Sequence, residues 1–351
     1  MRRWHRLLAL IFLLPLAIIA ISGVALYFRN ASAGLDLTAT LDPQRLGQAI
    51  ERVTDQGGEV STVWTAGRGT GKFDAYVTIN RRERMLTFDG EGRLLRDVDA
   101  GGWSGAALFD RLAALHREFL IGNWGRWLTS ASGLALLGLI IIGIAIAWPS
   151  RGALRRSLIP RLKAPSASLG LLSWHRALGL WAAALGIAVA LSGLALLHED
   201  VLESVLGVST PSPPEAAAAP AEVIAPGEAL AIALTRYPGA QLSMLAMPDT
   251  DAPWYRVRLV AVGEIRKVYG ATSLYIAAAD GRILTEYDAR RSSYWASVTQ
   301  SLYAAHSGQI LGPIGEALVA LSGLWLLAMI ILGLAYFVLR SQAQANRAKS
   351  R

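Results

Sequence analysis

Four stretches of the chain stay apolar for longer than a globular helix requires. They cover residues 7–28, 127–148, 177–197 and 314–339, and none carries a charge in its middle. Each reaches the roughly 20 helical residues that a bilayer demands. Trp127, Trp148, Trp181 and Tyr336 stand near the ends, as interfacial aromatics do. Between these stretches the pattern shortens. Leu46, Ile50 and Val53 share one helical face and predict a helix over 42–53. Alternating positions then predict strands over 59–65, 73–79, 84–88 and 94–98, with a turn at Gly90 and Gly92. The second polar segment reads alike: a helix over 227–235, strands over 241–247, 254–260, 273–277 and 283–287, and a hairpin-type turn at Asp280-Gly281. Further helices are expected over 103–120 and 294–305, just ahead of the second and fourth apolar stretches. The fold class is therefore a membrane protein: four transmembrane α-helices carrying two small α+β modules. Each module has about 60 residues, a size at which independent stability is marginal, and each is tethered at both ends.

The pattern also repeats. Trp4-His5-Arg6-Leu7 returns as Trp174-His175-Arg176-Ala177, and Ile21-Ser22-Gly23 as Leu191-Ser192-Gly193, both 170 residues later. Farther along, the offset is 190: Leu115-His116 matches Ala305-His306, Ser132-Gly133 matches Ser322-Gly323, and Gly143 matches Gly333. Residues 1–150 and 171–340 are thus two copies of one helix–domain–helix unit. The Pro- and Ala-rich stretch 209–226 absorbs the difference as an extended linker. The domain order is a span over 1–28, a module with its membrane-proximal helix over 29–126, and a span over 127–148. A basic loop over 149–173 leads to a span over 174–198. A linker and second module over 199–313, a span over 314–339 and a tail over 340–351 complete the chain. Two parallel copies imply a pseudo-twofold axis along the membrane normal, so repeat-related residues should face each other.

Charge sets the orientation. Of 351 residues 17% are charged and 53% hydrophobic, against about 25% charged in an ordinary soluble chain. The N-terminus, the middle loop and the tail, with Arg176 at the start of span three, together hold 13 basic residues and no acid. The other two segments hold all 26 acids beside 21 basic residues. The net charge of +8 is therefore +13 on one side and −5 on the other. The positive-inside rule places both termini and the middle loop in the cytoplasm. The basic excess is then topological and implies no nucleic-acid partner. The Arg-rich start with Ala31-Ser32-Ala33 also reads as a secretory signal. Its apolar run is too long for one, and its repeat-related twin inside the chain could not be cleaved.

Chemistry rests on five histidines, because the chain has no cysteine. That absence removes disulfides, zinc–thiolate sites, iron–sulfur clusters and a thiolate haem ligand. His5 and His175 stand at the cytoplasmic ends of spans one and three. His116 and His306 precede spans two and four on the outer side. His198 ends span three and has no twin, since Phe28 takes its place. Symmetry brings His5 near His175 and His116 near His306. A single interfacial histidine is usually a polar residue at a polar boundary; two repeat-matched pairs are harder to explain that way. Facing imidazoles from bundle helices suit a haem with both axial positions filled. Zinc is the competing ligand, but a structural zinc site wants four ligands, and each pair offers two, or three with His198. Gly23, Gly133, Gly193 and Gly323 either leave room for a flat macrocycle or simply let helices pack closely. Arg6 and Arg176 either neutralise haem propionates or obey the positive-inside rule. One haem near each surface gives an electron path across a helix of about 35 Å, with outer-sphere transfer as its chemistry.

With these residues in view, the chain resembles the PepSY-associated transmembrane family, which includes ferric-siderophore reductases of bacterial inner membranes. The matching residues are Trp4-His5-Arg6, Trp174-His175-Arg176, Leu115-His116-Arg117 with Gly122 and Gly125, and the Ser-Gly pairs of the spans. The resemblance covers nearly the whole chain. It implies a multi-pass inner-membrane protein with four helices, two periplasmic PepSY-type modules and, in the reductase members, b-type haems, here two. It implies a periplasmic ferric siderophore as electron acceptor. Such chelators hold Fe(III) through hard oxygen ligands, whose grip weakens on reduction. Copy two departs from the pattern, since Ser307-Gly308 rather than an arginine follows His306.

Two other functions compete. As a binding module, the PepSY-type domains would bind or inhibit a peptidase and the helices would be anchors; a soluble fragment 36–100 that inhibits a periplasmic protease would support this. A permease would carry ionisable residues or broken helices at mid-membrane, where this chain offers only Pro15. The glycine-rich run 67–72 lacks phosphate-loop spacing and reads as a hairpin tip. With no flavin or nicotinamide motif, the electron donor is the quinone pool or a cytoplasmic or membrane reductase.

Overall fold

The computed structural model describes residues 1–29, 40–67, 70–103, 105–148, 157–208, 214, 222–266 and 269–349. Ala31-Ser32-Ala33, Arg68-Gly69, Arg151, Arg155, Arg156, Arg351 and 12 of the 18 residues of the Pro/Ala-rich linker lie outside them. The chain begins with α1 (Arg2–Ile11) and α2 (Leu13–Tyr27), followed by α3 (Pro43–Asp55). Four strands come next: β1 (Glu59–Thr65), β2 (Lys72–Ile79), β3 (Arg82–Asp89) and β4 (Leu94–Asp99). Helices α4 (Gly105–Glu118), α5 (Asn123–Ala147), α6 (Ala167–Trp181), α7 (Ala183–Leu197), α8 (Glu199–Leu206) and α9 (Pro226–Arg236) lead to the second strand run. That run is β5 (Gln241–Ala246), β6 (Trp254–Val260), β7 (Thr272–Ala277) and β8 (Ile283–Tyr287), and α10 (Tyr294–His306) and α11 (Gly312–Lys349) close the chain. The chain divides into two compact units.

One unit comprises 1–27, 112–198 and 305–351 and is helical. Two of its helices, α5 and α11, are long and apolar enough to cross a membrane unaided. The number rises to four if α1 with α2, and α6 with α7, each count as one span, although these pairs bend by 62° and 60°. Pro15 accounts for the first bend. Its ring excludes the carbonyl four residues back, which belongs to Ile11, the last residue of α1. The second bend has no proline, because Leu185 stands at that position. There the Trp325 indole presses on Gly186, where a Cβ would come within 2.9 Å, and its Nε1 donates to the Leu178 carbonyl at 3.0 Å. A side chain inserted at the helix backbone is an ordinary cause of a kink. The bends let each broken helix touch both straight ones: α1 packs on α5 and α2 on α11, while α6 packs on α11 and α7 on α5. Leu14, Ile21, Leu134, Ile141, Leu191, Ile314, Leu324 and Ile331 remain exposed, an apolar belt that water does not tolerate at this extent.

The other unit comprises 28–111 and 199–304. The expected strands are present, but the two modules are not separate. All eight strands form one antiparallel sheet in the order β4-β3-β2-β1-β5-β6-β7-β8. The joint is β1 against β5, with Thr62 opposite Ala246, Val63 opposite Leu245 and Trp64 opposite Met244. This corrects the reading of two modules, and the reason is physical. A four-stranded half leaves an open edge and a core too small to stand alone. Joining the halves pairs both inner edges and merges the cores. Leu46, Ile50 and Val63 of the first half share one buried cluster with Leu230, Leu245 and Val257 of the second. Helices α3 and α9 meet above it so closely that a Cβ on Gly47 would lie 2.3 Å from the Gly227 nitrogen. Asp42 caps α3 by accepting from the Gln44 and Arg45 amides at 3.0 and 3.1 Å. The β2–β3 hairpin turns through Asn80 and Arg81, both at positive φ, as a tight hairpin requires.

Candidate functional site: two histidine pairs

The repeat-related histidines meet in the helical unit. The His5 and His175 rings lie 6.3 Å apart between centroids, at 87° to each other. The His116 and His306 rings lie 6.1 Å apart, at 47°. Two imidazoles sharing one metal ion need about this separation: a bond of about 2.0 Å on each side plus the distance from each nitrogen to its ring centre.

The second pair is oriented by its surroundings. His116 Nδ1 lies 2.9 Å from the Ile19 carbonyl and 3.2 Å from Ser22 Oγ. Its counterpart, His306 Nδ1, lies 3.1 Å from the Val189 carbonyl and 3.3 Å from Ser192 Oγ. A carbonyl only accepts, so Nδ1 carries the proton in both rings and Nε2 keeps its lone pair. Ser22 and Ser192 spend their own hydroxyl protons on the Ile18 and Ala188 carbonyls, at 2.7 and 2.8 Å. This is the arrangement that fixes a metal-ligating histidine: one nitrogen tied to a backbone carbonyl, the other free for the metal. In the first pair the Leu139 and Met329 carbonyls approach the rings, again 190 residues apart. Even so, the Nδ1 atoms of His5 and His175 are buried without a well-formed hydrogen bond.

Glycines seat all four rings. A Cβ on Gly23 would stand 2.9 Å from His116 Cε1, and one on Gly193 would stand 2.7 Å from His306 Cε1. Gly143 and Gly333 come nearest His5 and His175, at 3.4 and 3.3 Å by the same measure. The four glycines named from the sequence therefore divide. Gly23 and Gly193 hold imidazoles, whereas Gly133 faces Leu194 and Gly323 faces Val24 in helix packing. The corner after His116 is sharp. Phe119 and Leu120 both adopt positive φ, a costly conformation for bulky residues that tends to gather near functional sites. Nothing in their side chains announces it.

The family model described as the PepSY-associated TM region matches residues 2–340. The chain belongs to that family. A comparison with curated proteins finds no match. Membership in the PepSY-associated TM region family makes this a membrane protein, in keeping with its apolar helices and exposed belt.

His198 stands apart from both pairs in its contacts: its Nε2 lies 2.8 Å from Ser130 Oγ and its ring 6.1 Å from Trp127. Beside it Arg126 donates to the Leu197 carbonyl at 2.8 Å. Among the described residues no three of His, Cys, Asp or Glu gather as a metal site, so the zinc alternative has no four-ligand candidate there. Arg6 lies with its Cζ 5.9 Å from the Phe337 ring centre. Arg176, next to His175 on α6, is half-buried.

Proposed function

We propose that this protein carries electrons across a bacterial inner membrane through two bis-histidine b-type haems and reduces a ferric siderophore in the periplasm. The observation that carries the reading is the two repeat-related histidine pairs, with ring centroids 6.3 and 6.1 Å apart. In this reading each bent helix pair is one span, giving four. The basic residues face the cytoplasm with both termini, and the eight-stranded sheet stands in the periplasm as the joined PepSY-like modules. His5 and His175 hold the cytoplasmic-side haem, and His116 and His306 the periplasmic-side one. Haem held in this way supplies one-electron chemistry and offers no open position to a substrate.

The protein's own residues do the rest. The Ile19 and Val189 carbonyls hold the outer imidazoles in one tautomer, so Nε2 is the ligating atom. The glycines let the Cε1 edges of the rings come close against the helix backbones, and the apolar spans keep water from the path. Arg6 and Arg176, one residue from the inner ligands, offer charge to propionates. The siderophore receives the electron in an outer-sphere step, and its oxygen ligands release the softer ferrous ion more readily. The donor is the quinone pool or a cytoplasmic or membrane reductase.

The full chain, purified in detergent after expression with ample haem, is expected to show a Soret band and about two haems per polypeptide. His5→Ala and His116→Ala should each remove about one. No Soret band, or full haem content in both variants, rejects the assignment. The two bends favour a second reading, because broken helices are a transporter device. The break residues here, Phe12 and Ala182, are apolar, whereas transporter sites place polar groups there. Iron uptake into liposomes without any electron donor would establish the transporter instead.

A further inference from the structure

The two copies pack alike, yet at one corner their side chains part. Helix α5 packs on α7 as α11 packs on α2. Along α5 and α11, Leu128 matches Leu318, Ser132 matches Ser322, Gly133 matches Gly323 and Leu134 matches Leu324. Just ahead of these positions the match fails. Arg126, Trp127 and Ser130 return as Glu316, Ala317 and Ala320. The adjoining end of α7 departs as well, with His198 where copy one has Phe28. Helix packing does not ask for this difference, since α2 and α11 pack without any of the four groups.

The four departures converge. Arg126 Nη2 donates to the Leu197 carbonyl at 2.8 Å. Its other guanidinium N–H groups have no partner among the described residues. Ser130 donates to the Arg126 carbonyl at 2.9 Å, so its oxygen accepts from His198 Nε2 at 2.8 Å. In the neutral ring Nδ1 then keeps its lone pair, and it too has no partner among the described residues. Trp127 lies 6.1 Å from the His198 ring and is 66% exposed, and Trp124, one turn earlier, is 81% exposed. Exposed indoles at the end of a spanning helix stand at the level of lipid head groups. In the orientation proposed above this end faces the periplasm, the side from which juxtamembrane arginines are depleted.

The unused groups say what fits. Guanidinium N–H donors call for an oxyanion, and phosphate suits their planar fork. An imidazole lone pair calls for a hydroxyl. The indoles sit where acyl chains meet head groups. We infer that this corner of α5 and α7 binds the head group of an anionic phospholipid. Arg126 holds the phosphodiester, and His198 Nδ1 accepts from a hydroxyl on the head-group alcohol. The repeat-related positions cannot do the same, because Glu316 repels a phosphate and Phe28 and Ala317 offer it no hydrogen bond. The inference needs the helices to lie in a membrane and depends on neither haem nor electron transfer.

Three lipids test it. Phosphatidylglycerol has the charge and the hydroxyls, phosphatidylmethanol the charge alone, and phosphatidylcholine neither a net charge nor a donor. Native mass spectrometry of the full chain, released from mixed micelles of each lipid, reads what is retained. Phosphatidylglycerol should be held as a single copy, about fivefold or more tightly than phosphatidylcholine, the scale of one interfacial arginine. Phosphatidylmethanol should fall between them. Arg126→Gln should erase the preference over phosphatidylcholine, whereas Glu316→Gln should leave it intact. His198→Phe, which copies the other repeat, should bring phosphatidylglycerol down to the level of phosphatidylmethanol and leave the latter unchanged. Misfolding does not produce that pattern, and thermal melting confirms that each variant is folded. Equal retention of all three lipids would mean an ordinary aromatic belt and overturns the site, as does an Arg126→Gln variant that keeps the preference. Equal retention of phosphatidylglycerol and phosphatidylmethanol by the unaltered chain overturns the part given to His198. Displacement by soluble glycerol 3-phosphate overturns the lipid source in favour of a dissolved phosphate ester.

Discussion

At the scale of single residues, the candidate centre depends on what is missing from four positions. An imidazole can lie against a helix backbone only where no Cβ stands, and Gly23, Gly193, Gly143 and Gly333 provide that clearance to the four paired histidines. The two outer seats are the tighter. At Gly23 an added methyl would come within 2.9 Å of His116 Cε1, closer than carbon contacts allow. The ring would have to leave, and with it the bond from Nδ1 to the Ile19 carbonyl. Gly23→Ala is therefore expected to lower haem content from about two per chain to about one, with the His5–His175 site retained. Pyridine haemochrome assay of the purified variant measures this, and unchanged content would mean that His116 is not a ligand. The pairing itself was legible in the sequence, because the Trp-His-Arg and Ser-Gly motifs recur at fixed offsets. The seating was not. Gly23 and Gly133 look alike as members of Ser-Gly pairs, and only tertiary packing gives one an imidazole and the other a leucine. Phe119 and Leu120 could not be found at all, since positive φ at bulky residues has no sequence signal.

At the scale of elements, alternation and turn chemistry placed the strands, and helical periodicity placed α3 and α9. Sequence signals of this kind are local, which is why the bend at Ala182 escaped them while the one near Pro15 did not. The β1–β5 joint escaped for the same reason: Val63 and Leu245 pair across more than half the chain. The joint carries a prediction. A fragment of residues 40–111 contains the first four strands and α3, but it loses the Leu230, Leu245 and Val257 share of the core and exposes β1 as an edge. Alone it should be unfolded or should self-associate through β1. Circular dichroism melting with gel filtration decides the matter, and a stable monomer with a cooperative melt would restore the picture of autonomous modules. The same result bears on the peptidase-inhibitor alternative, which needs at least one half to act by itself.

At the scale of the whole molecule, orientation decides the direction in which electrons would travel, and it is encoded almost entirely in charge. The side assigned to the cytoplasm carries +13 and the opposite side −5. Juxtamembrane Lys and Arg resist translocation, while Asp and Glu contribute little. The absence of cysteine makes this assignment directly measurable, because any thiol introduced is the only one in the chain. Ser166 precedes α6 in the basic loop, and Asp280 lies in the turn between β7 and β8. Both are exposed, but Ser166 caps α6 by accepting from the Leu169 amide and Asp280 accepts from the Arg282 amide at 3.0 Å, so each replacement should cost about 1 kcal/mol. In spheroplasts, Asp280→Cys should react with a membrane-impermeant maleimide at once. Ser166→Cys should react only after the membrane is permeabilised. The reverse pattern would place the sheet in the cytoplasm and turn the proposed path around, leaving His116 and His306 on the donor side. Labelling of both positions from outside would mean that a bent helix pair does not complete a span, and the four-span count would fall with it.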